Sequence, residues 1–181
     1  MSKIGIFMAD GCEEIEGLTV VDIVRRAGID ITTISISDKN EVAGAHGITF
    51  LADAKKDEVV FSTLDGIVLP GGMPGTTNLG ADETVDKVIR EFAAGGKLVA
   101  AICAAPSVLG QAGILNGKHA TSYPGFEPKL TGAVTSEDSV VQDGNVITSR
   151  GMGTAIAFAL EIVSYFTDKK TADKLAESII Y

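Results

Sequence analysis

Short apolar runs alternate with helix-periodic stretches along the 181 residues, and turn residues close most of the runs. Lys3–Met8 (KIGIFM) reads as a buried strand ending at Ala9-Asp10-Gly11. Asp10 and Glu13 have the spacing of a capping box, which predicts a helix from Cys12 or Glu13 to Ala27, stopped by Gly28. Asp30–Ile36 alternates and is β-branched, a second strand. Ser37–Asp53, with turn residues at Asp38-Lys39-Asn40 and Gly44, predicts a hairpin-like excursion, and Ala54–Leu64 a weakly patterned helix. Gly66–Leu69 is the next buried strand and runs into Pro70-Gly71-Gly72-Met73-Pro74-Gly75. Glu83–Ala94 predicts a helix closed by Gly95-Gly96. Leu98–Ile102 predicts a strand, followed by a helix that ends at Gly113 or Gly117. Lys118–Thr121 is a short strand, Val140–Ser149 a hairpin turning at Asp143-Gly144, and Thr154–Phe166 and Lys170–Ile179 are closing helices. This alternation gives an α/β fold, a doubly wound and mostly parallel sheet with helices on both faces. The length suits one domain with a substantial core, and no repeat or linker divides it.

Two positions break the apolar pattern in ways that point to chemistry. In the first helix Glu16 is in phase with Val20, Ile23 and Ala27, so a carboxylate lies on an apolar stripe, where it needs a partner. The same helix carries Leu18, Val21 and Val24 and is apolar over more than one face, which predicts contact with a second copy and a homodimer. The second position is Cys103, where the run Leu98–Ile102 stops and a helical pattern with Pro106 in its first turn begins. A residue at such a bend is held in a strained conformation, and the small neighbours Ala100, Ala101, Ala104 and Ala105 let strand and helix close together. The free N–H groups and dipole of the following helix favour thiolate over thiol, which makes Cys103 a candidate nucleophile. The opposing reading is a small core hydrophobe.

In a parallel sheet the ends of the first strand, of Gly66–Leu69 and of Leu98–Ile102 share one edge. Glu16, Gly72 and Cys103 then meet in one crevice, with the N–H groups of Gly72 and Ala104 placed as an oxyanion hole and Glu16 coupled in its titration to the thiol. Cys12 sits at the same edge, where a resolving thiol would make a reversible disulfide switch; a small residue filling the loop is the plainer reading.

Composition removes other classes. A net charge of -9 argues against a nucleic-acid partner. The N-terminal apolar run is too short for a signal peptide and no run approaches a membrane span, so a soluble, cytoplasmic protein is expected. Two cysteines and two histidines give a zinc site little to work with, and no metal or cofactor is expected. The turn Pro70–Gly75 has neither the Walker nor the G-x-G-x-x-G pattern and reads as an anion-binding nest; Gly151-Met152-Gly153 reads as close helix packing.

Four motifs in this order, GCEEIE at Gly11–Glu16, LPGG at Leu69–Gly72, AICAAP at Ala101–Pro106 and TSRGMGTA at Thr148–Ala155, resemble the ThiJ/PfpI superfamily, in particular its YajL and Parkinsonism-associated branch. The resemblance runs from Lys3 to near Ala172 and implies a flavodoxin-like three-layer sandwich, a homodimer, and a nucleophile elbow at Cys103 that oxidises readily to sulfinate. It assigns Glu16 as the buried acid holding the cysteine and Gly72 and Ala104 as backbone donors. Arg26 and His46 match positions that the branch fills with arginines near the site and dimer contact, so His46 is a departure. Ala104 replaces the histidine of the peptidase-like branch, which weakens a Cys-His protease reading. Tyr123 stands where some relatives carry a histidine, leaving proton transfer to Glu16 with Tyr123 as accessory. Two functions follow: cysteine-dependent conversion of 2-oxoaldehydes or of their adducts on proteins (glyoxalase III-like or deglycase-like), or an oxidative-stress sensor or chaperone working through oxidation of Cys103.

Overall fold

Seven strands hydrogen-bond into one sheet in the computed structural model of the chain, which describes residues 2–181. In chain order the elements are β1 (Lys3–Met8), α1 (Glu14–Arg26), β2 (Asp30–Ser35), β3 (Glu41–Ala43), β4 (Thr49–Leu51), β5 (Ala54–Lys55), β6 (Gly66–Leu69), α2 (Gly75–Ala81), α3 (Glu83–Ala94), β7 (Leu98–Ile102), α4 (Pro106–Gln111), β8 (His119–Ala120), β9 (Val134–Thr135), β10 (Val140–Asp143), β11 (Val146–Ser149), α5 (Ala155–Phe166) and α6 (Lys169–Ser178). The order across the sheet is β10-β11-β7-β6-β1-β2-β5. All neighbours run parallel except the edge strand β10, which pairs antiparallel with β11. β3–β4 and β8–β9 form two small separate ladders.

The central strands β6, β7 and β11 are buried at every position; β6 and β7 are continuous apolar runs, as coverage of both faces requires, and in β11 the buried Thr148 and Ser149 hydroxyls are hydrogen-bonded. Val20, Ile23 and Val24 of α1 and Phe158, Ile162 and Val163 of α5 cover one face, with α6 adding Ala172. Leu79 of α2, Val85, Ile89 and Phe92 of α3 and Leu109 of α4 cover the other. The spacing of Val85, Val88, Ile89 and Phe92 places all four on the inward stripe of α3, and the Asp82 carboxylate caps that helix by accepting from the Thr84 and Val85 amides.

α1 leaves β1 toward one face while α2 and α3 leave β6 toward the other. The loops therefore diverge between these neighbouring strands and open a crevice at their C-terminal ends. This is the flavodoxin-like α/β arrangement, and the β7–α4 bend adjoins the crevice.

Two local expectations fail, and one helix forms where the sequence marked no element. Asp10 does not cap α1: Glu13 is the N-cap residue without a side-chain bond, and Asp10 Oδ1 accepts from the Ala43 amide at 2.9 Å, because the hairpin folds back onto this loop. Ala54–Leu64 is not helical but forms β5 and two single 3₁₀ turns, Lys56–Glu58 and Phe61–Thr63, since its start pairs with β2. The helix α2, built from GTTNLGA, has little helix propensity and forms where Thr76 and Leu79 dock on the core.

Candidate active site

Cys103 has φ of +66°, a left-handed conformation that costs a non-glycine residue about 1–2 kcal/mol. Neighbouring loops hold it there. Its N–H donates to the Ser149 carbonyl at 2.9 Å and its own carbonyl accepts from the Tyr123 N–H at 2.8 Å. Ala101, Ala104 and Ala105 are buried around the bend. The turn after β6 reaches the elbow so closely that a Cβ on Gly71 would lie 2.6 Å from Cys103 Cβ and 2.7 Å from Glu16 Oε2. Glycine is required at Gly71 for this close approach.

Glu16 projects from the inward face of α1 with 1 % of its surface exposed. Its Oε2 accepts from the Gly71 N–H at 2.9 Å, and its carboxyl stands beside Cys103 where both approach Gly71. The Gly72 and Ala104 amides flank the same sulfur and favour its charged form. The nest expected after β6 is thus filled from inside: its Gly71 amide serves Glu16. Gly72, with φ of +88°, packs against the start of α1, where a side chain would overlap the Glu13 backbone.

The electrostatics differ from the sequence expectation of a simple thiolate. Burial, then the charge and hydrogen bond of Glu16, push the Cys103 thiol up to about 12, against the opposing pull of the Ala104 and Gly72 amides. Burial likewise pushes Glu16 up to about 7, opposed by its bonds to Cys103 and Gly71. Desolvation outweighs the two amides because both groups lie out of water. The two groups titrate as one unit: near neutral pH the acid gives up its proton first and becomes a base beside a thiol.

The other candidate residues are placed differently. Tyr123 reaches the elbow through its backbone, its ring beside Gly151, and among the described residues its hydroxyl makes no hydrogen bond. Arg26 ends α1 about 15 Å along the helix from Glu16 and pairs with Asp22 at 2.6 Å, so it is not brought to the sulfur. His46 lies in the β3–β4 hairpin against Glu13 and Glu14. The Cys12 thiol is fully buried in the apolar layer and pushed up to about 12, by burial first and then by Glu14, which suits a core residue and not an attacking thiolate. Both cysteines are free. Sequence reasoning missed Gly71, whose signal was the paired glycine after the strand, and the Ser149 carbonyl, which carries no sequence signal.

A half-buried thiol on a strand-to-helix elbow, beside a buried acid at the switch point of the sheet, defines a cysteine-elbow protein of the flavodoxin-like class. Within that class, the chain belongs to the DJ-1/PfpI family, whose profile matches residues 2–165. It is 37% identical over 177 residues to Protein dj-1beta of Drosophila melanogaster, covering 97% of this chain and 95% of that one. A protein of Pyrococcus abyssi named deglycase is 32% identical over 164 residues, 89% of this chain and 97% of its own length. The solved structure of oxidized Toxoplasma gondii DJ-1 superposes with a TM-score of 0.96 at 34% identity, covering 100% of this chain and 99% of that one. Among the described residues no helix is long and apolar enough to cross a membrane.

Proposed function

We propose that this chain is a cysteine-dependent stress-response protein that converts 2-oxoaldehydes such as methylglyoxal to 2-hydroxy acids. The observation that carries the reading is the buried Glu16 carboxyl beside the Cys103 elbow, both in close approach to Gly71, whose N–H holds Glu16 Oε2 at 2.9 Å. As the thiol attacks the aldehyde carbon its proton passes to the Glu16 carboxylate, and a C–S bond forms. Glu16 returns that proton to the alkoxide, whose charge the Gly72 and Ala104 amides hold meanwhile, giving a hemithioacetal. Glu16 then removes the proton from the former aldehyde carbon and delivers it to the neighbouring carbonyl carbon, with the hydroxyl protons redistributed, leaving a thioester of the 2-hydroxy acid. Water cleaves the thioester and restores the thiol. Acting on the corresponding adduct on a protein would release the amine, a reading supported by the relative named deglycase.

The test is lactate production from methylglyoxal, with adduct removal followed separately after free aldehyde is scavenged. Cys103→Ser should abolish both, and an unchanged rate would overturn the mechanism. A second reading, a sensor in which Cys103 is oxidised by peroxide to sulfinate held by the same amides, is favoured by the relative solved in an oxidized state. Two added oxygens on Cys103 by mass spectrometry, with negligible aldehyde turnover, would select it. We also propose a homodimer, supported by exposed Ile15, Leu18 and Ile48 along one groove beside α1.

A further inference from the structure

The hairpin β3–β4 folds over the start of α1 and brings His46 to two acidic residues 32 and 33 positions earlier in the chain. We propose that Glu13, Glu14 and His46 form a binding site for a first-row divalent cation of the zinc type, separate from the thiol. His46 Nδ1 stands 3.2 Å from Glu14 Oε2 and 3.4 Å from Glu13 Oε2, and the ligand atoms of all three lie within 4.8 Å of one another. A tetrahedral ion with bonds of about 2.0–2.1 Å sets its ligands about 3.3 Å apart. Two sides of the set are therefore already at coordination spacing.

The central ligand is built into the fold. Glu14 has 3% of its side chain exposed, and its Oε1 accepts from the His46 N–H at 2.8 Å and the Ile48 N–H at 3.3 Å. These donors fix the carboxylate with Oε2 turned to the imidazole, as outer-shell amides orient a metal ligand. Gly44 leaves room for it, because a Cβ there would overlap the Glu14 carboxylate.

Charge completes the case. Among the described residues, the only basic group within ion-pair distance of either carboxylate is the His46 imidazole; no lysine or arginine comes that near. A dication held by two carboxylates and an imidazole nitrogen balances this charge, and the nitrogen ligand favours zinc-type ions over magnesium or calcium. In the single chain His46 is 69% exposed, and water fills the remaining position.

Cobalt(II) titration tests the site in the full chain, on the wild type and on Cys103→Ser. The expected result in both is one cobalt per chain with the visible absorption of tetrahedral coordination, no sulfur-to-cobalt charge-transfer band, and displacement by zinc. His46→Ala should weaken binding more than about tenfold, and Glu13→Gln by at least as much as loss of an outer-shell partner, about tenfold. His46 is exposed and Glu13 partly buried, and far-UV circular dichroism verifies folding of both variants. Binding lost in Cys103→Ser, unchanged in His46→Ala, or absent from the wild type at millimolar cobalt would overturn the proposal.

Discussion

Replacing Glu16 by glutamine separates the cost of burying an acid from every other contribution to stability. In the folded chain burial pushes Glu16 up from 4.5 to about 7. Between these values the native chain holds a proton that the unfolded chain releases. The protons bound by the unfolded state are then fewer, so stability falls as pH rises through the window, and the loss is complete above the folded value. The 2.5-unit difference between those two values, at about 1.36 kcal/mol per unit, amounts to about 3 kcal/mol. Glu16→Gln has nearly the same shape, and its amide oxygen can accept from the Gly71 N–H, but it does not ionise. The unfolding free energy of the wild type minus that of the variant should therefore drop by about 3 kcal/mol from about pH 4 to about pH 8. Cys103, pushed up to about 12, contributes nothing over that range. Urea unfolding followed by far-UV circular dichroism measures it, the chain having no tryptophan to report by fluorescence. A difference that stays flat, or rises with pH, would refute the claim that desolvation governs this acid.

Two further outcomes follow from the packing. Gly71→Ala places a methyl 2.6 Å from Cys103 Cβ; it should cost about 1–3 kcal/mol in chemical denaturation and slow alkylation of Cys103, and unaltered thiol reactivity would show that the turn does not position the sulfur. Leu18→Asp puts a charge on the exposed apolar groove beside α1; if the proposed homodimer uses this face, sedimentation should show a wild-type dimer and a monomeric variant, and a monomeric wild type or a dimeric variant would refute it.

The elements that carry the site were legible because their signals are local. An apolar run broken at Cys103 and a proline three residues on mark a strand turning into a helix, and that is where the left-handed residue stands. The phase of Glu16 with Val20 and Ile23 predicts its burial from helix periodicity alone, and all three are buried in α1. Other features depend on pieces distant in the chain. The sequence marks Asp10 and Glu13 as a helix cap, yet the returning hairpin takes Asp10 for the Ala43 amide. It marks Ala54–Leu64 as a weak helix, yet pairing with β2 makes its start a strand. Gly71 is indispensable only because α1 and the β7 elbow converge on it, and Glu14, Gly44 and His46 become neighbours only when β3 and β4 close over α1. The same division governs the thiol. Helix-end amides that favour its charge are visible in the sequence, whereas the loss of solvent that raises its pKa is set by every chain segment packed around it. Periodicity and turn chemistry act over a few residues and can be read in order; desolvation, close approach and shared hydrogen bonds belong to the assembled tertiary structure.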